Sequence, residues 1–315
     1  MAKSKVQFQE GLSDLEFIER YGDEDKCIRE LTKSRWPNGF VCPECGGTEH
    51  CFLSNRNLYQ CNSCHKQTSL TAGTIFQGTK LPLIKWFIAM NHITANKQGI
   101  SSMELSRKMA VSVNTALIVK SKLQQVMLER NSGETLSGRI EVDDAYMGGE
   151  HTGGKRGRGS ENKIPFVAAV ATTPEGEPDR MKLNVLPGFR KQCIQKWAKA
   201  QLSADSEVVT DGLACFAGVE KAGCDHYAVV VGKGNKSTDL QCFNWVNTTL
   251  GNIKTAIAGT YHAVSKKHIP RYLAEFEYRF NRRYNLKEIM PRLLRVCTYT
   301  PPMPQKLLKL AEASW

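Results

Sequence analysis

The stretch that decides the fold is "RIEVDDAYMGG", residues 139–149, in which Asp143 and Asp144 stand together near the end of an apolar, strand-like run. Two glycines and the basic run "GGKRGRG" (153–159) follow. A solvated acidic strand edge and a site for a hard cation both fit this local pattern. Outward from it, β-rich runs recur as "IPFVAAVATT" (164–173), "RMKLNVL" (180–186), "SEVVTDG" (206–212) and "HYAVVVG" (226–232). Helical patterns interrupt them at "RKQCIQKWAKAQL" (190–202), "DLQCFNWVNTTLGNIKTAIAG" (239–259) and "SKKHIPRYLAEFEYRFNRR" (265–283). Strands in a meander, then strands alternating with helices, predict an α/β domain with a mixed sheet.

Asp211 closes the apolar run 206–212, so its carboxylate is expected at a strand's C-terminal end, the edge of an open α/β sheet where ligands gather. An ordinary Asp-Gly turn is the alternative for it taken alone. In the helical pattern after residue 240, Phe243, Val246, Leu250, Ile253 and Ile257 mark a buried stripe. Asn244, Asn247 and Lys254 fall on the neighbouring flank, and Asp239 reads as that helix's cap.

Upstream, Cys42, Cys45, Cys61 and Cys64 have the spacing C-x2-C-x15-C-x2-C of a four-thiolate zinc ribbon. Two tight pairs can aim four sulfurs at one tetrahedral centre, with Gly46 and Gly47 supplying the turn. Such a site leaves no open coordination position, so structural zinc is expected, with His50, Cys51 and His65 as spare candidates. Residues 81–130 then read as three helices with a tight turn between the last two, a helix-turn-helix outline that carries seven Lys/Arg against two Glu.

The whole chain has 315 residues and 43 Lys+Arg against 31 Asp+Glu, a net charge of +12 that favours a polyanionic partner. No window approaches a membrane span, and the start "MAKSKVQFQE" has no signal-peptide core. A cytoplasmic, nucleoid-associated protein is expected. Eleven cysteines, an odd number, with two C-x-x-C pairs point to metal instead of disulfides.

These motifs together resemble the ISXO-like group of insertion-sequence transposases of the DDE type. "EVDDAYMGG", "ENKIPFVAAV", "TDG" and "IKTAIAGTYHAVSKKHIPRYLAEFEYRFNRR" are similar to its transposase domain. "RWPNGFVCPECGG", "YQCNSCHKQTSLTAGTIF" and "LPLIKWFIAM" are similar to its zinc-ribbon leader. The resemblance implies an RNase H-like mixed-sheet core whose carboxylates hold Mg²⁺ or Mn²⁺ for cutting and joining DNA. By position, its acids fall on Asp143 and Asp211, its third residue (Glu in many members, Asn in others) on Asn247, and the Lys that follows on Lys254.

The expected partners are double-stranded DNA, as element ends and target, and further copies of the chain on that DNA. Lys155, Arg156, Arg158 and Lys163, set among glycines, and Arg282 and Arg283 are the expected phosphate contacts. Glu275 and Arg279 read as a surface pair. The expected segments are a helical leader (1–35), the zinc ribbon (36–79), a helix-turn-helix-like region (80–131), the catalytic domain (136–290) and a C-terminal tail (291–315). A non-catalytic DNA-binding protein, with Asn247 marking lost chemistry, is the competing reading.

Overall fold

The computed structural model describes residues 9–148, 163–230, 241–262 and 264–310. The chain divides into two compact units, Met1–Val126 with Arg283–Leu310, and Met127–Arg282.

The first unit opens on α1 (Asp14–Tyr21). The Ser13 hydroxyl accepts the Glu16 N–H while the Glu16 carboxylate accepts the Ser13 N–H, so two otherwise orphaned donors are satisfied. Asp23 caps α2 (Glu24–Arg35) by accepting the Lys26 N–H at 2.8 Å. Three short antiparallel strands follow, β1 (His50–Leu53), β2 (Leu58–Cys61) and β3 (Gln67–Ser69). The helices α3 (Leu83–Ala95), α4 (Ser102–Met109) and α5 (Val113–Asn131) come next, and α3 buries Trp86, Phe87, Met90 and Ile93. Ala110, at φ 50°, ends α4 in the left-handed region. Two residues later the Ser112 hydroxyl accepts the Thr115 N–H and starts α5.

Residues after 290 are not a tail, which corrects the sequence expectation. They continue α9 (Leu286–Tyr299), which packs against α2 and α3, and add α10 (Gln305–Leu310). The reason is periodicity: Ile289, Met290, Leu293, Leu294 and Cys297 form a buried stripe at helical spacing.

The second unit is built on five strands: β4 (Arg139–Met147), β5 (Ile164–Thr172), β6 (Pro178–Val185), β7 (Glu207–Thr210) and β8 (Asp225–Ala228). Their spatial order is β6-β5-β4-β7-β8. β4, β5 and β6 pair antiparallel, whereas β7 lies parallel to both β4 and β8. The two-residue alternation of a strand divides the core into two layers. Ile140, Val142, Val167 and Val208 pack with Ile194 and Trp197 of α6 (Lys191–Gln201) on one face. Ala145, Met147, Phe166, Ala168 and Val209 pack on the other face, with α7 (Asn244–Ala256) and α8 (Ile269–Phe280). This mixed sheet between helices is the α/β architecture expected of an RNase H-like core.

α8 is covered on more of its circumference than its sequence implies. Glu275 is 0% exposed and pairs with Arg279, and the Tyr261 hydroxyl donates to Glu275 at 2.9 Å. The expected surface pair is therefore a buried one, because Tyr261, in the turn of π-helix that follows α7, closes over it. Lys182 of β6 and Glu277 form a second buried pair at 3.3 Å, and Lys182 also donates to the Asn131 carbonyl. Burial pushes the Glu277 carboxyl up to about 7 despite the Lys182 ammonium beside it.

Candidate metal centres

The four cysteines of the first unit bring their sulfurs together. Cys42 Sγ lies 3.5 Å from Cys64 Sγ, and Cys45 Sγ lies 3.6 Å from Cys61 Sγ. All four ligand atoms lie within 4.8 Å of one another. Bonds of about 2.3 Å to a tetrahedral centre put sulfurs roughly 3.8 Å apart, so the set fits one such ion. The local backbone favours thiolates at Cys42 and Cys61, whereas the neighbouring sulfurs push Cys64 up to about 12. The Cys45 N–H aimed at Cys42 lowers that thiol, and the Cys64 N–H aimed at Cys61 brings it down to about 6. Gly46 holds φ +73° in the first knuckle, a conformation that strains a side-chain-bearing residue. The sulfur cluster comprises these four cysteines and leaves His50, Cys51 and His65 aside. His50 packs against Phe40 and Tyr59.

The second centre lies at the C-terminal end of the parallel strands. β4 and β7 pair only as far as Glu141 opposite Val209, whereas β4 pairs with β5 through Met147, so Asp143 and Asp144 lie beyond the last pair that β4 makes with β7. Asp211 emerges just after β7. Carboxylate oxygens of Asp143, Asp144 and Asp211 come within 4.8 Å of one another. Asp144 thus belongs to the acidic group, which the sequence left unresolved.

Two local devices aim these acids. One Asp143 oxygen accepts the Asp144 N–H at 2.8 Å, and Asp211 accepts the Leu213 N–H at 3.0 Å across a tight turn. Gly212 makes that turn at φ +81°, where an added Cβ would meet Val230 Cγ2 at 2.8 Å. Behind the turn, the Thr210 hydroxyl accepts the Gly212 N–H at 3.3 Å and lies 2.9 Å from His226 Nε2. His226 Nδ1 faces Glu220 at 3.4 Å. With the proton on Nδ1, one chain runs from Gly212 through Thr210 and His226 to Glu220.

Burial pushes Asp143 up to about 6, the Asp144 and Asp211 carboxylates add to the rise, and the Asp144 N–H and the Lys254 ammonium oppose it. A divalent cation would relieve this crowding of negative charge. Three carboxylates form a hard-oxygen donor set that fits Mg²⁺ or Mn²⁺. Asn247 is half-buried on α7, next to Val246, and α7 packs against β4 and β5. Lys254 is exposed two turns further on.

The expected DNA contacts fare unevenly. Lys163 is exposed directly before Ile164, the partner of Met147 at the end of β4. Arg282 is corrected: it is only 9% exposed, its guanidinium lies 3.8 Å from the Tyr278 ring centroid, and it pairs with Glu134 at 3.5 Å. An arginine committed to an aromatic face and a carboxylate inside the fold is a packing group, not a phosphate clamp. Arg283, in the first unit, is half-buried and donates to the Tyr284 hydroxyl at 2.7 Å. Lys155, Arg156, Arg158 and the expected cap Asp239 lie outside the described residues.

A four-cysteine ribbon in one unit and an acid-bearing mixed sheet in the other define a DDE-type protein with an N-terminal zinc-ribbon module. Comparison with known proteins narrows the class. Residues 135–281 match the ISXO2-like transposase domain and residues 22–67 the transposase zinc-ribbon domain. Two domains found in insertion-sequence transposases, the zinc ribbon and the ISXO2-like transposase domain, thus follow one another along the chain. It is 27% identical over 177 residues to a protein in transposable element ISH50 of Halobacterium salinarum, covering 50% of this chain and 58% of the relative. The chain thus spans little more than half the length of that relative. No helix among the described residues is long and apolar enough to cross a membrane.

Proposed function

We propose that this protein binds the terminal repeats of its insertion sequence and catalyses metal-dependent cleavage and strand transfer of DNA. The observation that carries the proposal is the convergence of the Asp143, Asp144 and Asp211 oxygens within 4.8 Å at the sheet edge. Asp143 and Asp211 would hold Mg²⁺ or Mn²⁺, with Asp144 as an added carboxylate and the Asn247 amide oxygen as a neutral ligand. When bound, a pair of such ions neutralises phosphate charge and assists both the attacking and the leaving oxygen of an in-line displacement. Asp143 gives up its proton to bind a cation, so metal binding weakens as pH falls below about 6. Lys254 supplies a positive charge for a phosphate oxygen beside the acids.

Lys163, with Lys155, Arg156 and Arg158, which fall between β4 and β5 in sequence, grips the DNA backbone. Zinc in the four-cysteine module is structural, and that module and α3–α5 dock on the element ends. Several copies of the chain assemble on DNA, and the protein works in the cytoplasm at the nucleoid.

The test uses purified full-length protein, Mg²⁺ or Mn²⁺, and DNA carrying the element ends. Cleavage and strand-transfer products are expected, and Asp143→Ala or Asp211→Ala should abolish both while DNA binding persists. If either variant cuts as well as the parent, the metal assignment fails. One observation favours a second reading, a DNA-binding protein without catalysis: Asn247 is neutral where many relatives by resemblance carry Glu. Absence of products from the parent together with their appearance in Asn247→Glu selects that reading.

A further inference from the structure

α7 begins without a cap of its own. Its N-cap position is Phe243, which offers no side-chain hydrogen bond to the first-turn N–H groups. Those groups are nonetheless satisfied from β4. One carboxylate oxygen of Glu141, Oε2, accepts the Trp245 N–H at 2.9 Å and the Val246 N–H at 3.0 Å. These are the second and third residues of the helix, the donors that a capping side chain ordinarily takes. The other oxygen, Oε1, faces Arg139 Nη1 at 3.3 Å, and Arg139 Nη2 donates to the Cys242 carbonyl at 3.4 Å.

Glu141 is 1% exposed, and the contacts named above engage both of its oxygens. A buried carboxylate is costly unless hydrogen-bonded, and a helix N-terminus is where its charge is best accommodated. The position is also informative. Glu141 precedes Asp143 by two residues on the same face of β4, and the N–H groups it holds belong to the two residues before Asn247.

We infer that Glu141 is a positioning residue, a cap supplied across elements that fixes α7, with Asn247 and Lys254, against the Asp143 carboxylate. This rests on the proposed metal site. Glu141 touches neither cation nor DNA. Its effect is to hold a ligand-bearing helix in register with a ligand-bearing strand, and a partner at one remove from a metal is worth on the order of 10- to 100-fold in affinity.

The experiment compares the zinc-loaded full-length parent with Glu141→Ala and Glu141→Gln at a temperature where all three are folded. Hydrogen exchange is read across the second unit, and Mn²⁺ affinity is read from the electron paramagnetic resonance of the free ion. In Glu141→Ala the amides at the start of α7 should exchange faster while β4–β6 keep their protection. Mn²⁺ affinity should fall by on the order of 10- to 100-fold. The amide oxygen of Gln can accept both N–H groups, so Glu141→Gln should restore most of both signals.

Unchanged exchange in α7, exchange that rises evenly throughout the unit, or parental Mn²⁺ affinity in Glu141→Ala each overturns the inference. Should Glu141→Ala not fold, Glu141→Asp keeps the charge, loses the reach, and should show the same two losses. A parent that binds Mn²⁺ but cuts no DNA overturns the proposed reaction alone. A parent that binds no Mn²⁺ at this site overturns both.

Discussion

At Asp143 the fold holds a carboxyl where burial and two neighbouring carboxylates favour its protonated form. A raised acid in the folded state binds its proton more tightly than the unfolded chain does. Its contribution to stability is therefore fully present below the unfolded value of 3.8 and is lost as pH rises through about 6. We expect metal-free Asp143→Asn to be more stable than the parent at neutral pH, by on the order of 1–2 kcal/mol, and to show a shallower decline of stability across that window. Thermal unfolding measured at several pH values checks this, and an Asp143→Asn protein less stable than the parent would contradict it. Mn²⁺ should raise the parent's unfolding temperature and leave the variant's nearly unchanged. Asp144 shows why residue identity alone was insufficient. Adjacent strand residues normally point to opposite faces, yet beyond the last pair between β4 and β7 the carboxylates of both residues come within 4.8 Å of that of Asp211.

Among the elements, the zinc ribbon has the least means of its own. Its three strands span four, four and three residues, and its local apolar cluster is Phe40, Cys42 and Cys61 with Trp36 and Tyr59. So small a core cannot offset the entropy of ordering the segment, and metal binding at the four cysteines, worth on the order of 10 kcal/mol, would decide its fold. Chelation at neutral pH, or Cys61→Ser, should expose the β1–β3 amides to rapid exchange while the β4–β8 sheet remains protected. Protection of β1–β3 that survives full chelation would show that the metal is dispensable. This element was legible early because its ligands announce themselves by spacing. α8 was not, since the burial of Glu275 with its partner Arg279, of Glu277 and of the Arg282 that follows depends on Tyr261, Lys182 and Glu134, which come from other parts of the chain.

For the molecule as a whole, a net charge of +12 predicts DNA affinity that falls steeply with salt, with log K changing by about 0.9 per phosphate contact for each decade of salt. Lys163→Ala should reduce that slope by about one contact, because the side chain is exposed directly before β5. Arg282→Ala should leave the slope unchanged and lower stability instead, since it strips a partner from Glu134. Binding measured over a salt series separates the two effects. An Arg282→Ala slope shallower by one contact would restore the phosphate role that its burial argues against.

The sequence by itself determined the strand and helix order of the second unit, the four thiolates and the positions of Asp143 and Asp211, because periodicity and ligand spacing are local properties of the chain. Only the tertiary structure decided that Asp144 joins the acids, that Glu141 caps a helix some hundred residues away, and that Arg282 is inward-facing. Each depends on which segments meet across the sheet, and those meetings are set by long-range packing.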